Sequence, residues 1–480
     1  MRTVAHRRVL SDNQPRREAF DHGRNQERWK DMSTLVDNPS RRWMLQRAAA
    51  ASGGLLVSLS PPGGQALQPR MGQPLHSVSR EAFGLHLVGV AGWDQGSGPG
   101  RNTPLNTFGC RSVRVWDTGA TWRRIEGRGK GDFDWSRLDA EMAVWSKGFD
   151  DILFCLGQAP DWASAPRRGG NDSWNPNAPN NPQDAADFVT ALLQRYPRIT
   201  GLEHWNEPDK RGQFYSGTVE QLAQISMAQA RAARAIRPDI VMVGAAPQSF
   251  GDRGDYLRRY LRALRAAGGA DAIDVVSAHT YVMPRQPEQI GVLAEILRGV
   301  VDDAGFDLPL WSTEFGWGGI KNAPQAGGFA DAATGAKVAA AGAVMAQDQA
   351  ASYIARAYLV SFASGLTRQY FYAVDKPFSA LRLIDFSDKA RVLPAGQALA
   401  YLARLLQGGQ VSPLWSQDDL RGVEFASADG RRGQVFWCLD GRQAYIDLTR
   451  FKTVRSVTGG VAQPPSPHYL VTDSPVFALV

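Results

Sequence analysis

Residues 200–208 read TGLEHWNEP, a short strand-forming run that ends in an amide, a carboxylate and a proline. Residues 218–236, rich in Ala, Gln and Arg, form the helix candidate that follows and stop before Pro238. A short apolar run followed by a longer helical stretch recurs on both sides of this segment, from about residue 80 onward. Such alternation is typical of βα units that build a parallel sheet.

Eight runs of this kind predict eight parallel strands. They lie at Phe83–Leu87, Ser112–Asp117, Asp151–Gly157, Thr200–Asn206, Ile240–Ala245, Ile273–His279, Leu308–Glu314 and Arg368–Val374. A helix is predicted at Trp135–Trp145, with Asp134 as its N-cap. This pattern favours the α/β class and a (β/α)8 TIM barrel, with functional side chains at the carboxyl ends of the strands. A doubly wound open sheet is the alternative, but the glycine-rich dinucleotide motif common in such sheets is missing.

The sequence divides into three predicted parts. Residues 1–66 form an export leader with a polar N-terminal extension, and residues 67–400 form the catalytic barrel. Residues 401–480 form a small C-terminal β-sandwich accessory domain, because short strands such as Gln434–Leu439 and Ala444–Leu448 alternate with turns. A strand from residues 70–82 is expected to join this sandwich.

The leader is predicted from an ordered series of short segments. Residues 40–47 read SRRWMLQR, and a weakly apolar run and the small residues PPGGQA follow. Ser-Arg-Arg-x-x-Leu resembles the twin-arginine signal, so we expect cleavage after Ala66 and a bacterial periplasmic or secreted protein. The apolar run of about thirteen residues is too short for a membrane helix, which argues against stable membrane insertion after cleavage. A surface helix with two chance arginines is the alternative.

Charge and cysteine content exclude other classes. The net charge is +7, but residues 1–66 hold eleven Lys and Arg against six Asp and Glu, which leaves 43 against 41 downstream. A nearly neutral body does not favour nucleic-acid binding. Cys110, Cys155 and Cys438 form no CxxC pair, so we expect neither a disulfide scaffold nor a structural zinc site, and interpret them as buried apolar side chains.

Two predicted strands deliver a glutamate to the same rim of the barrel. The fourth ends in Trp205-Asn206-Glu207-Pro208, and the seventh region reads PLWSTEFGW over residues 309–317, with Glu314 at its centre. Together with His279-Thr280-Tyr281, these motifs resemble clan A glycoside hydrolases. They are most similar to family 39, and within it to bacterial endoglycosidases associated with exopolysaccharide synthesis. The resemblance covers about residues 80–400, and the family also contains β-xylosidases and α-L-iduronidases.

The resemblance implies a role for each matched residue. Glu314 would be the nucleophile and Glu207 the acid/base of a retaining glycosidase, whose carboxyls lie about 5–5.5 Å apart. For this chemistry we expect Glu314 to be ionised and Glu207 to carry a proton. Arg114 and Tyr281 match clan positions that hold the nucleophile. Asn206 matches the residue that binds the sugar 2-hydroxyl, and His279 matches a histidine that orients substrate.

Several residues have a structural alternative. Arg114 could instead pair with Asp117 or Asp139, and we interpret His204 as a core histidine and Glu203 as structural. Aromatic rings stack on sugar C–H faces, so rings near strand ends are expected to contact substrate: Trp116, Trp162 and Trp317, with Trp122 and Trp174 as further candidates. Strand eight offers Tyr372 where clan A commonly has a tryptophan. The segment 318–347 is interpreted as a lid or a groove wall.

These observations predict an O-glycosyl hydrolase. It would be a retaining β-glycosidase that acts on a polysaccharide or oligosaccharide, with endo action on an exopolysaccharide suggested by the resemblance alone. We expect no metal and no nucleotide cofactor. The alternatives are a β-xylosidase-like exo-glycosidase and a non-catalytic periplasmic glycan-binding protein.

Overall fold

The computed structural model describes residues 66–70, 72–88, 107–165, 175–248, 253–282, 285–317, 344–375, 379–385 and 391–480. All of them belong to one compact unit, Leu59–Val480. The predicted leader up to residue 65, Trp174 and residues 318–343 of the predicted lid or wall lie outside the described residues. None of the helices in the described ranges has the length and apolar content needed to cross a membrane.

The central element is a parallel barrel of eight strands, preceded by the short strand β1 (His76–Ser77). The barrel strands are β2 (Phe83–His86), β3 (Ser112–Val115), β4 (Asp151–Cys155), β5 (Gly201–Glu203), β6 (Val241–Val243), β7 (Val276–His279), β8 (Leu310–Phe315) and β9 (Leu366–Phe371). Each pairs in parallel with its neighbours in the order β6-β5-β4-β3-β2-β9-β8-β7. A parallel bridge between Val243 and Val275 closes the circle, so the predicted (β/α)8 class is confirmed.

Helices follow the barrel strands, as the βα pattern requires. They are α1 (Trp122–Ile125), α2 (Ser136–Gly148), α3 (Pro182–Arg195), α4 (Val219–Ile236), α5 (Asp255–Ala266), α6 (Gln289–Asp303), α7 (Gln347–Ala363) and α8 (Pro394–Leu406). Helix α4 begins with a capping box, in which Thr218 and Gln221 satisfy each other's backbone N–H groups. Helix α2 begins at Ser136, one residue after its predicted start at Trp135. Asp134 accepts hydrogen bonds from the backbone N–H and the hydroxyl of Ser136.

An antiparallel sheet follows the barrel and fits the predicted C-terminal β-sandwich. Its strands after α8 are β12 (Gln410–Val411), β13 (Trp415–Gln417), β14 (Leu420–Ala426), β15 (Arg432–Cys438), β17 (Thr453–Arg455) and β19 (Val476–Leu479). The order is β1-β12-β14-β15-β19-β17, with β13 also on β14, so a strand from segment 70–82 does join this sheet. Two strand pairs stand apart: β10 (Ile384–Asp385) with β11 (Arg391–Val392), and β16 (Ala444–Ile446) with β18 (Tyr469–Val471). The predicted domain boundaries stay predictions.

A buried ion pair joins the barrel helices to the antiparallel sheet. The guanidinium of Arg356, on α7, is fully buried and donates to both carboxylate oxygens of Glu288 at 2.9 and 2.6 Å. It also donates to Asp440, after β15, at 2.6 Å, and Trp437 on β15 donates its indole N–H to Glu288 at 2.8 Å. Every donor in this cluster therefore has a carboxylate acceptor from another element.

We expect Arg356→Met to lower the free energy of unfolding by about 3 kcal/mol, because it leaves two partly buried carboxylates without their cation. Urea denaturation followed by fluorescence measures this change. Arg128→Met is the matched control, because Arg128 forms an exposed pair with Asp132 and should leave the denaturation midpoint unchanged. Equal midpoints for both variants would contradict a structural role of the buried cluster.

Candidate active site

Six polar side chains meet at the carboxyl ends of four barrel strands, and each is at most 5% exposed. They are Arg114 on β3, Glu203, Asn206 and Glu207 on and after β5, His279 on β7, and Glu314 on β8. A parallel barrel brings them together because its strands all end at the same rim. Five of the six are residues for which the sequence predicted a catalytic or supporting role.

Arg114 lies at the centre of this cluster and is completely buried. Its Nε donates to Glu203 at 2.6 Å, and one terminal nitrogen donates to Glu314 at 2.7 Å. The other terminal nitrogen donates to Asn206 Oδ1 at 2.9 Å and to Cys155 Sγ at 3.4 Å. The alternative pairing of Arg114 with Asp117 or Asp139 is not seen. Since Oδ1 accepts from Arg114, the amide NH₂ of Asn206 is oriented away from the guanidinium.

Glu207 adopts a backbone conformation that is rare for a residue with a side chain. Its φ is 41°, in the left-handed region, where a residue other than glycine carries strain of about 1–3 kcal/mol. A hydrogen bond from its backbone N–H to Ala246 O, 2.9 Å, and one from Lys210 N–H to its carbonyl, 3.0 Å, hold this turn. In this conformation the Glu207 carboxylate reaches His279 on β7.

His279 links the two glutamates. Its Nδ1 lies 2.9 Å from Glu207 Oε1 and 3.4 Å from Glu314 Oε2, so an Nδ1–H donates to the first and faces the second. Glu314 also accepts a hydrogen bond from the Tyr281 hydroxyl at 2.9 Å. After β8, Gly316 permits a close backbone approach, because a Cβ there would lie 2.4 Å from Tyr372 O. The structure thus brings Arg114, His279 and Tyr281 onto the predicted catalytic pair.

The two carboxyls are shifted in opposite directions. Burial raises the pKa of Glu207, but the hydrogen bond and charge of His279 and the ammonium of Lys210 outweigh burial and leave this pKa below its usual value. Burial raises the pKa of Glu314 above its usual value, because His279 and Arg114 offset it only in part. This is the reverse of the predicted order, in which Glu207 holds the proton. The pKa of Glu207 is lowered because it accepts a hydrogen bond from His279 and has the ammonium of Lys210 beside it. At Glu314 the negative charges of Glu207 and Asp117 add to the effect of burial, against the cations that face it.

A second carboxylate contributes to the field at Glu314. Asp117, directly after β3, has a left-handed φ of 63° and accepts a hydrogen bond from the hydroxyl of Tyr372. Its negative charge raises the pKa of Glu314. Tyr372 is partly buried, and its ring meets His86 edge-on at 5.1 Å between centroids. Tyr372 therefore lies at the mouth of the barrel, as predicted, but tied to a carboxylate.

Of the three tryptophans predicted to contact substrate, two are buried and one is partly buried, and their contact with substrate stays a prediction. Trp116 is 5% exposed and meets Phe214 edge-on. Trp317 is 4% exposed and lies 5.4 Å from the ring of Tyr353. Trp162 is partly buried and donates its indole N–H to a backbone carbonyl at 2.5 Å. Position at a strand end does not determine which way a ring turns, and here Trp162 and Trp317 turn toward the core.

Sequence reasoning missed three site residues. Lys210 is three residues beyond Glu207. A turn of the chain after Pro208, which would bring Lys210 back beside Glu207, was the available signal. Glu203, the last residue of β5, was interpreted as structural, and it is a direct partner of Arg114. Nothing in the sequence connects Asp117 with Tyr372. His204 is a core histidine, as predicted, bonded to Gln229 and to a backbone carbonyl.

The donor set is also close enough for a metal ion. One donor atom each from Glu207, His279 and Glu314 lies within 4.8 Å of the others. However, the two carboxylates already have cationic partners, since Arg114 binds Glu314 and Lys210 binds Glu207. A divalent cation is therefore not needed to balance the charge of this cluster.

The three cysteines are free and buried, as the sequence predicted.

Comparisons with known proteins identify the fold. Neither a family model nor a curated protein matches the sequence. The structure is similar to a family 39 glycoside hydrolase from the gut symbiont Bacteroides cellulosilyticus WH2, with 16% identity, a TM-score of 0.60, and 84% of this chain and 81% of that chain covered. It is also similar to a GH39 β-xylosidase from Caulobacter crescentus, with 17% identity, a TM-score of 0.54, and 81% of this chain and 84% of that chain covered. The catalytic domain of GH30 xylanase C from Talaromyces cellulolyticus is similar with 14% identity, a TM-score of 0.56, and 85% of this chain and 98% of that chain covered. The predicted resemblance to family 39 and its clan is confirmed at the level of the fold.

We expect Asp117→Asn to lower the pKa of Glu314, because it removes a negative neighbour while an amide oxygen still accepts the hydrogen bond of Tyr372. Carbon-13 NMR of labelled glutamate carboxyls measures this, with Glu314→Gln used to assign the signal. Asp132→Asn, on an exposed loop, is the control. An unchanged or raised Glu314 titration in Asp117→Asn would show that Asp117 does not act on this carboxyl.

Proposed function

We propose that this protein is a retaining β-glycosidase that hydrolyses O-glycosidic bonds of a polysaccharide or oligosaccharide. The observation that carries the proposal is the spacing of its glutamates, since one oxygen of Glu207 and one of Glu314 lie within 4.8 Å. Retaining glycosidases hold their carboxyls about 5–5.5 Å apart, whereas inverting enzymes need about 6.5–9.5 Å to admit a water. The short spacing supports a double displacement through a covalent glycosyl-enzyme.

In the first step, a carboxylate oxygen of Glu314 attacks the anomeric carbon, and the bond to the leaving oxygen breaks as Glu207 transfers a proton to that oxygen. Arg114 and Tyr281 hold Glu314 in place from two sides, so the attacking oxygen is oriented before the sugar binds. Asn206 has its Oδ1 fixed by Arg114, and its NH₂ is available for a sugar hydroxyl.

In the second step, a water attacks the same carbon and the bond to Glu314 breaks. Glu207, now a carboxylate, takes the proton of the water and is returned to its starting state. A pKa of Glu207 below its usual value favours the carboxylate that the second step needs, so the first step requires Glu207 to take up a proton before the leaving group departs. His279, which contacts both glutamates, is placed to adjust both carboxyls.

The finer substrate assignment is also a proposal. Endo action on an exopolysaccharide is supported by the motif resemblance, and a neighbour of similar fold is described as an endo-β1,6-glucanase. A β-xylosidase-like exo action is the alternative, supported by the Caulobacter neighbour. Location in the bacterial periplasm or outside the cell, after cleavage of the leader, remains a prediction of the sequence. A non-catalytic glycan-binding protein is less well supported, because sugar binding alone does not need two buried carboxylates on one histidine.

Glu314→Gln should lower kcat at least 10³-fold on every glycoside, because no nucleophile remains. Glu207→Ala should lose turnover of poor leaving groups but still release activated aryl groups in a burst, because only the second step then needs a base. A screen of aryl glycosides and polysaccharides with product sizing measures both. Glu295→Gln, on the exposed face of α6, is the control. Full activity in either site variant contradicts the proposal, and wild-type protein that binds glycan without turnover would favour the binding-protein alternative.

Treatment with EDTA followed by desalting should leave kcat/KM unchanged, because Arg114 and Lys210 already neutralise the two glutamates. Initial rates before and after treatment, and after addition of Zn²⁺ or Ca²⁺, provide the measurement. Loss of activity that one of these ions restores would instead assign Glu207, His279 and Glu314 to a metal centre.

A further inference from the structure

Lys210 is fixed beside the proposed acid/base residue. Its backbone N–H donates to Glu207 O at 3.0 Å, and its own carbonyl accepts from the N–H groups of Gln213 and Phe214 at 3.1 Å. With the backbone held on both sides, the side chain folds back, and Nζ lies 3.1 Å from Glu207 Oε2. The side chain of Lys210 is 29% exposed and that of Glu207 only 7%, so the ammonium covers the carboxylate on its solvent side.

We propose that Lys210 is a positioning residue for Glu207, whose ammonium holds the carboxylate before substrate binds and sets the lower pH limit of turnover. This inference rests on the proposed function, because it takes Glu207 to be the proton donor. No catalytic contact of Lys210 with the sugar is required, since its effect passes through Glu207.

Both oxygens of Glu207 have a partner, and only one of these partners can move away easily. Oε1 accepts from His279, which is fully buried, and Oε2 faces Lys210 on a flexible four-carbon stem that reaches solvent. To protonate a leaving oxygen, Glu207 must present one of its oxygens to it. Lys210 is the partner that can withdraw, and Oε2 is then the oxygen that meets the leaving group.

The groups that face Glu207 determine the direction of the effect. They are Lys210 from its own loop, His279 and Tyr281 from β7 and the residues after it, and Glu314 from β8. Lys210 and His279 favour the ionised carboxylate, whereas burial and the charge of Glu314 disfavour it. Loss of the ammonium therefore raises the pKa of Glu207, and a larger share of the enzyme carries the proton on Glu207.

The test is the pH dependence of kcat/KM in Lys210→Met, which reports the groups that titrate before substrate binds. Because the pKa of Glu207 lies below its usual value and that of Glu314 above it, Glu207 sets the acid limb and Glu314 the alkaline limb. We expect the acid limb to move up by about one pH unit and the alkaline limb to stay in place. Lys210→Arg keeps the positive charge and should restore the wild-type limb. Lys130→Met is the matched control, since it also removes a lysine that is paired with carboxylates. The partners of Lys130, Asp184 and Asp187, lie outside the site. An unmoved acid limb in Lys210→Met, or an acid limb that Lys130→Met moves equally, overturns the inference.

A second measurement separates this inference from the proposed function. Carbon-13 NMR of labelled glutamate carboxyls, with Glu207→Gln for assignment, follows the titration of Glu207 directly. We expect a higher titration midpoint in Lys210→Met and in Lys210→Gln than in the wild type. If wild-type protein hydrolyses no glycoside, the proposed function fails and the role of Lys210 in turnover fails with it, whatever the carboxyl titration. If the protein is active and the midpoint is unchanged in both variants, the inference on Lys210 alone is wrong.

Discussion

The site depends on one buried cation, the guanidinium of Arg114. Transfer of an isolated ion into a protein interior costs several kcal/mol even after relaxation, so this position is tenable only when the donors are matched by acceptors. Glu203, Glu314 and Asn206 supply those acceptors from three directions. The fork of the guanidinium is planar and rigid, and therefore it fixes the relative orientation of its partners as well as their charge. A lysine has one nitrogen and could not span them.

The charges of the cluster are nearly balanced within it. Three carboxylates, of Glu203, Glu207 and Glu314, face two permanent cations, Arg114 and Lys210, and a histidine that contacts both proposed catalytic groups. In a water-poor environment such an arrangement makes each pKa sensitive to its neighbours. Burial favours the protonated form of both glutamates. Their pKa values shift in opposite directions because His279 donates to Glu207 and Lys210 lies beside it, whereas the charges of Glu207 and Asp117 oppose ionisation of Glu314.

The sequence predicted the barrel and the identity of its central pair because both depend on local patterns. Eight apolar runs marked the strands, and the motifs around Glu207 and Glu314 placed them at strand ends. The sequence could not predict the order of the two pKa values, since that order depends on contacts with His279, Lys210 and Asp117 from three different parts of the chain. The packed tryptophans and the contact of Asp117 with Tyr372, 255 residues apart, depend on loop direction and barrel closure. Such features arise from tertiary structure and leave no periodic trace in the sequence.

Strand β1 has a consequence for how the chain is made. His76 pairs with Val411 and Ser77 with Gln410, so a strand that leaves the ribosome before the barrel has its partner only after it. At synthesis rates of about 5–20 residues per second, the wait is roughly 20–70 s. During that time the edge-forming backbone groups of residues 76 and 77 are unpaired. The short length of β1, two residues, limits the danger that a neighbouring nascent chain pairs with it first.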